Sequence, residues 1–144
     1  MTAPKVVHLM DQVDAAAAQV QAGMRAQAAR SGQPIRNIAA DPWVRRVVAD
    51  VSAAALAGRL RACRHLGSPQ PVITAAWRRD LLACPPCAGF WFDLAGTKAD
   101  RLCDRCGRDT GAAGIHAGLV GAGAMLVMLG ACDACYALLE AAAR

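Results

Sequence analysis

Seven cysteines and one histidine fall into four short pairs: Cys63 with His65, Cys84 with Cys87, Cys103 with Cys106, and Cys132 with Cys135. Thiolate sulfur and imidazole nitrogen are the donors of tetrahedral zinc, and a two-residue gap lets one tight turn aim both sulfurs at a single ion. Eight donors complete two closed four-coordinate sites, so two zinc ions are the expected cofactors. The first pair departs from the others by having one intervening residue and a histidine, which leaves His116 as a substitute for His65. His8 lies in a helical pattern and is expected to be solvated.

A catalytic zinc ion keeps one position open and needs a carboxylate nearby to move protons. Here the donor count fills both ions, and Glu140 is the only glutamate in the chain. There is no His-x-Glu deaminase signature, no nucleophile elbow around Ser31, Ser52 or Ser68, and no glycine-rich phosphate loop. No catalytic residue is expected, and the chain reads as a non-enzyme. Thiol redox chemistry at Cys84-Pro85-Pro86-Cys87 competes with metal binding, but no alternating strand and helix pattern of a thioredoxin fold surrounds it. A zinc-thiolate switch that releases metal on oxidation is a further reading. The amino end, Met-Thr-Ala-Pro-Lys, leads into no apolar run with a cleavage site, so a cytoplasmic location is expected. There cysteines stay reduced and metal binding is the default.

The elements that must hold these donors are an α+β set. From Lys5 to Arg30 an apolar seam of Val6, Met10, Val13, Ala17, Val20 and Met24 alternates steps of four and three, which is one helix. Asp41-Pro42 caps a second, with Trp43, Val47, Val51, Ala54 and Ala55 on one face, running close to Arg61. Two antiparallel helices, a helical hairpin over residues 1–61, are the simplest arrangement. Residues 62–144 repeat one order twice, in units of about 63–95 and 103–143: ligand pair, hairpin, ligand pair, helix. Trp43 and Trp91 are expected to anchor the core.

That order resembles the treble-clef class of zinc fingers, and the gap between the two inner pairs resembles a zinc ribbon. The likeness covers roughly residues 63–143. The layout is also similar to small zinc-binding proteins of high-GC bacteria and their phages, on the strength of its alanine richness and its 14 Arg against 2 Lys. The resemblance implies short β-hairpins each followed by a helix, and a fold-level link to nucleic acid or to a nucleoprotein complex of transcription or translation.

Three groupings of the half-sites are open. Consecutive pairing, Cys63/His65 with Cys84/Cys87 and Cys103/Cys106 with Cys132/Cys135, needs only local loop closure. Joining the two inner pairs, or crossing them, are the alternatives. The formal charge of +5 falls to +2 once seven thiolates and two dications are counted. Residues 61–144 then carry −1, which is not the concentrated basic footprint of a strong nucleic-acid binder. Trp77, Arg78 and Arg79 near a hairpin tip, with Arg105 and Arg108 at the third pair, are the candidate nucleic-acid contacts; the bland alternative is that they neutralise nearby aspartates. A protein partner on Val6, Met10, Val13 and Val20 is the other reading. The uncharged run from Thr110 to Cys132 has the length of a membrane span, but its glycines break a helix and favour a hairpin. Neither a membrane nor a small-molecule substrate is expected.

Overall fold

The computed structural model describes residues 15, 18–26, 28–30, 32, 36–38, 41–67, 69–122 and 125–143. Val6, Met10, Val13, Ala17 and His8 lie outside them.

Helix α1 is formed by residues 15, 18–26 and 28–30. Helix α2, Pro42–Leu56, begins as the sequence requires. The Asp41 carboxylate accepts from the backbone N–H of Trp43 at 2.9 Å and of Val44 at 3.0 Å, and Pro42 fills the first helical position. Trp43, Val44, Val47, Val51 and Ala54 form its buried stripe. The helix stops short of Arg61 because Gly58 turns left-handed, φ 67°, two residues past Leu56. Two short helices follow ligand pairs, α3 over Pro85–Trp91 and α4 over Asp133–Ala142.

The strands are β1 (Arg36–Asn37), β2 (Arg61–Ala62), β3 (Val72–Ala75), β4 (Arg78–Ala83), β5 (His116–Ala122) and β6 (Met125–Ala131). They make one sheet in the order β1-β5-β6-β3-β4-β2. Both hairpins, β3–β4 and β5–β6, are antiparallel, and they meet through a parallel pairing of β3 with β6. The uncharged run is thus a hairpin, and among the described residues no helix is long and apolar enough to cross a membrane.

Alternation along β6 separates two cores. Val127, Leu129 and Ala131 join Trp43, Val44 and Val47 of α2 and Leu139 of α4. Leu126, on the other face, joins Val20 and Met24 of α1, Ala88 and Phe92 of α3, and Ile73 and Leu81. Both N-terminal helices are therefore present, and among the described residues α1 packs into one core and α2 into the other. Val20 and Met24 of α1 join the Leu126 face of the sheet and Trp43, Val44 and Val47 of α2 the Val127 face, and strand side chains give each helix large apolar surface to bury. Val20 is buried by this docking and so offers no free face to a partner. Trp91 also departs from expectation: it is 43% exposed, and Phe92 is the aromatic that α3 buries.

The approach of α1 is fixed by a glycine. A Cβ on Gly23 would lie 2.7 Å from two ring atoms of Pro71. A proline ring cannot swing aside as a flexible side chain does, so Gly23→Ala should cost about 1–3 kcal/mol by overpacking. At a free helical site the same change would gain about 1 kcal/mol. Urea denaturation distinguishes the two signs.

Candidate metal centres

Each half of the sheet builds its cluster in the same way. The first pair of each half sits in a tight turn that hydrogen-bonds to the strand leading into the second pair. Cys63 N–H donates to Leu82 C=O at 3.1 Å, and Asp104 N–H to Gly130 C=O at 2.9 Å. Those carbonyls lie two residues before Cys84 and Cys132 respectively. The turn at Cys103–Arg108 is closed by Cys103 N–H on Arg108 C=O at 2.9 Å and Gly107 N–H on Cys103 C=O at 2.8 Å, with Gly107 left-handed at φ 74°. Asp104 adds a second tie: its carboxylate accepts from Gly130 N–H at 2.6 Å. Cys84 and Cys132 are the N-caps of α3 and α4, both in extended conformation, and neither side chain makes a capping bond. The Cys-x-x-Cys interval then puts the fourth donor at the third helical residue, on the same side as the cap.

The result is two groups of four donors, Cys63/His65/Cys84/Cys87 and Cys103/Cys106/Cys132/Cys135, with the ligand atoms of each group within 4.8 Å of one another. This is the consecutive grouping; the inner and crossed pairings are not what the fold assembles. A tetrahedral ion with bonds of ~2.3 Å to sulfur needs sulfurs ~3.8 Å apart. Cys106 Sγ and Cys132 Sγ are 3.8 Å apart. His65 Nδ1 lies 3.2 Å from Cys87 Sγ and 3.9 Å from Cys84 Sγ.

The thiols behave alike in both groups. Burial works to raise Cys63, but N–H groups of Cys84 and His65 outweigh it and hold the thiol at about 7; Cys84 N–H donates to Cys63 Sγ at 3.3 Å. Burial likewise opposes ionisation of Cys103, and the N–H groups of Cys132, Cys106 and Arg105 bring it to about 6. The last cysteine of each group goes the other way. Burial, then the neighbouring sulfurs, push Cys87 up to about 11 and Cys135 up to about 12. One thiolate is prepared in each group and further ones are resisted by like charge, a conflict that a divalent cation at the centre removes. The donor set fits a metal ion.

The two groups differ in burial. Cys103, Cys132 and Cys135 belong to the core beside α2 and α4, leaving Cys106 exposed. In the other group Cys63 and Cys84 are buried, Cys87 is half-buried and His65 is exposed.

His116 stands apart from both groups. Its Nε2 pairs with the Asp133 carboxylate, and its ring stacks on Tyr136 at 4.6 Å. The candidate nucleic-acid residues are mostly turned to intramolecular uses. Trp77 packs edge-on against Phe92 at 6.3 Å. Arg78 pairs with Asp80 at 3.3 Å, and Arg79 pairs with Asp50 while donating to Ala76 C=O. Arg105 binds Asp41 at 2.9 Å, and Arg108 is exposed. Sequence reasoning placed aspartates near these arginines but missed Asp41 and Asp50, which reach them from α2.

The fold and the two centres define a mixed α+β protein with two Cys/His clusters, each able to hold a metal ion. No protein-family model, curated protein or solved structure matches the chain.

Proposed function

We propose that the protein is a non-enzymatic binding module held together by two structural zinc ions, one in each treble-clef-like half, and that its partner is another protein. The observation that carries the metal reading is the pair of four-donor groups, each with the number of donors that a closed tetrahedral site needs. In this reading zinc neutralises the sulfurs and locks each turn to its helix, and its binding free energy is folding free energy.

The partner reading rests on what the surface offers. Trp77, Arg78, Arg79 and Arg105 are engaged by Phe92, Asp80, Asp50 and Asp41. Large apolar side chains meanwhile face solvent: Leu56, Phe90 at 84% exposure, Leu138 and Trp91. Exposed aromatics of this kind are typical interface anchors.

Elemental analysis of purified protein should return two zinc ions per chain, with X-ray absorption fitting seven sulfur and one nitrogen donors across the two sites. Absence of stoichiometric zinc rejects the metal reading, and iron in its place redirects it. Capture of a protein partner that survives nuclease supports the adaptor reading. Retention on DNA or RNA at low salt with a steep loss at higher salt restores the nucleic-acid reading.

A further inference from the structure

Beside the first centre, α3 and the segment after it enclose a groove of about 640 Å³ against the β5–β6 hairpin. Phe92, Leu94, Ile115, Leu119 and Met128 are among the apolar residues that line it, and the volume lies in the range of sites that take a ligand-sized group.

Two features say what it is shaped for. The first is Gly89, in the interior of α3. Its backbone φ is not left-handed, and a Cβ placed on it would meet nothing within 4 Å. Nothing inside the molecule therefore requires glycine, which costs about 1 kcal/mol relative to alanine in a helix. Gly89 lines the groove, where a bare backbone allows close approach by something from outside. Phe90 and Trp91, the next two residues, are the exposed aromatics.

The second feature is charge. The chain carries 16 basic and 11 acidic side chains, yet the groove is lined by Asp93, Asp100 and Asp104 and by no lysine, arginine or histidine among the described residues. Asp93 accepts from Ala95 N–H and Asp104 from Gly130 N–H, each through one oxygen, and both residues line the groove. Burial pushes the Asp104 carboxyl up, and the Arg79 guanidinium that opposes this is itself paired with Asp50.

We propose that this groove docks an extended segment of a partner protein in which apolar residues alternate with arginine or lysine. The apolar side chains fill the groove beside Gly89 and pack on Phe90 and Trp91, and the cation reaches the aspartates. The inference rests on the adaptor reading and names its partner chemistry.

The test is selection of displayed random dodecapeptides on the full zinc-loaded chain, followed by fluorescence anisotropy of the selected peptides. Sequences combining basic and apolar residues should be enriched and should bind more weakly as salt rises. Gly89→Leu, which adds bulk where the molecule has open space, should weaken them at least tenfold. So should the double change Asp93→Lys and Asp100→Lys, with circular dichroism and zinc content unchanged in both variants. Enrichment of acidic or uncharged sequences, no enrichment, or affinity indifferent to both variants overturns the proposal. A dimer in sedimentation that Gly89→Leu dissociates also overturns it, because a second copy then fills the groove. If selection fails while a nuclease-resistant partner is still captured, the groove assignment falls and the adaptor reading stands. If no protein partner is captured at all, that reading falls first.

Discussion

Cys132→Ser is expected to leave no cooperatively folded protein, whereas Cys87→Ser should keep the sheet and lower only its stability. On the zinc reading proposed above, each centre would carry the apparent binding free energy of structural zinc sites, about 10–16 kcal/mol. Whole domains are stable by only about 5–15 kcal/mol, so loss of one well-buried site exceeds what remains. Cys132 is 6% exposed and packs with Trp43, Val47 and Leu139, joining α2, α4 and β6. Its loss would remove one of the four donors and leave the buried Cys103 and Cys135 and the exposed Cys106 as an incomplete group. Cys87 sits at the rim of its group, half-buried, opposite an exposed His65. Its replacement leaves Cys63, His65 and Cys84 as donors, and Ala88 and Phe92 still seat α3 on the sheet. Near-ultraviolet circular dichroism, reporting the buried Trp43, and zinc content read the difference. A Cys87→Ser chain that unfolds while Cys132→Ser stays cooperative would show that the first centre, not the second, holds the sheet together.

How far this arrangement is legible in the sequence follows from the range of the forces that fix each part. The cap at Asp41-Pro42, the hairpin on either side of Gly121-Ala122-Gly123 and the helix after each second ligand pair depend on neighbours a few residues away. Their signals are accordingly local. The four donor pairs were readable because their spacing is local, whereas which pairs share a centre stayed open among three groupings until the fold brought consecutive pairs together.

The pairing of β3 with β6 was not readable. It sets Val72 against Met125 and Ala75 against Met128, and nothing in either strand names the other. These central strands are covered on both faces, so their residues form nearly continuous apolar runs with no alternation to betray a register. With that pairing hidden, the two faces were hidden too. α1 and α2 then look like partners when each has its own face, and Trp91 looks as fit for the core as Phe92. The roles of the arginines were lost for the same reason. Arg105 is next to Asp104 in sequence, but it binds Asp41, 64 residues away.

That long-range pair supports the second large effect. Asp41 is 3% exposed and serves two masters: one carboxylate oxygen caps α2, and the other accepts from Arg105 at 2.9 Å. Asp41→Ala removes a cap worth about 1 kcal/mol. It also strands a guanidinium in a poorly hydrated position, where breaking a buried pair costs about 3–5 kcal/mol. Arg105 retains some contact with water, its side chain being 20% exposed, so the lower end applies and, with the cap, a total loss of about 4 kcal/mol is expected. Asp41→Asn keeps a cap oxygen but loses the charge and the acceptor that face Arg105, and should cost about 1.5–3 kcal/mol, the worth of a hydrogen bond to a charged group. Arg105→Met should cost a similar amount. The decisive measurement is the double-mutant cycle in urea with zinc in excess: Asp41→Asn with Arg105→Met should destabilise by less than the sum of the singles, by at least ~1 kcal/mol. Additive effects would mean that the pair is incidental and that Arg105 is available to an outside partner. Coupling would mean that the turn bearing Cys103 and Cys106 is anchored to the start of α2. Metal binding at the second centre and formation of that helix are then one cooperative event, which is why the cysteine change and the aspartate change should both unfold the same face of the sheet.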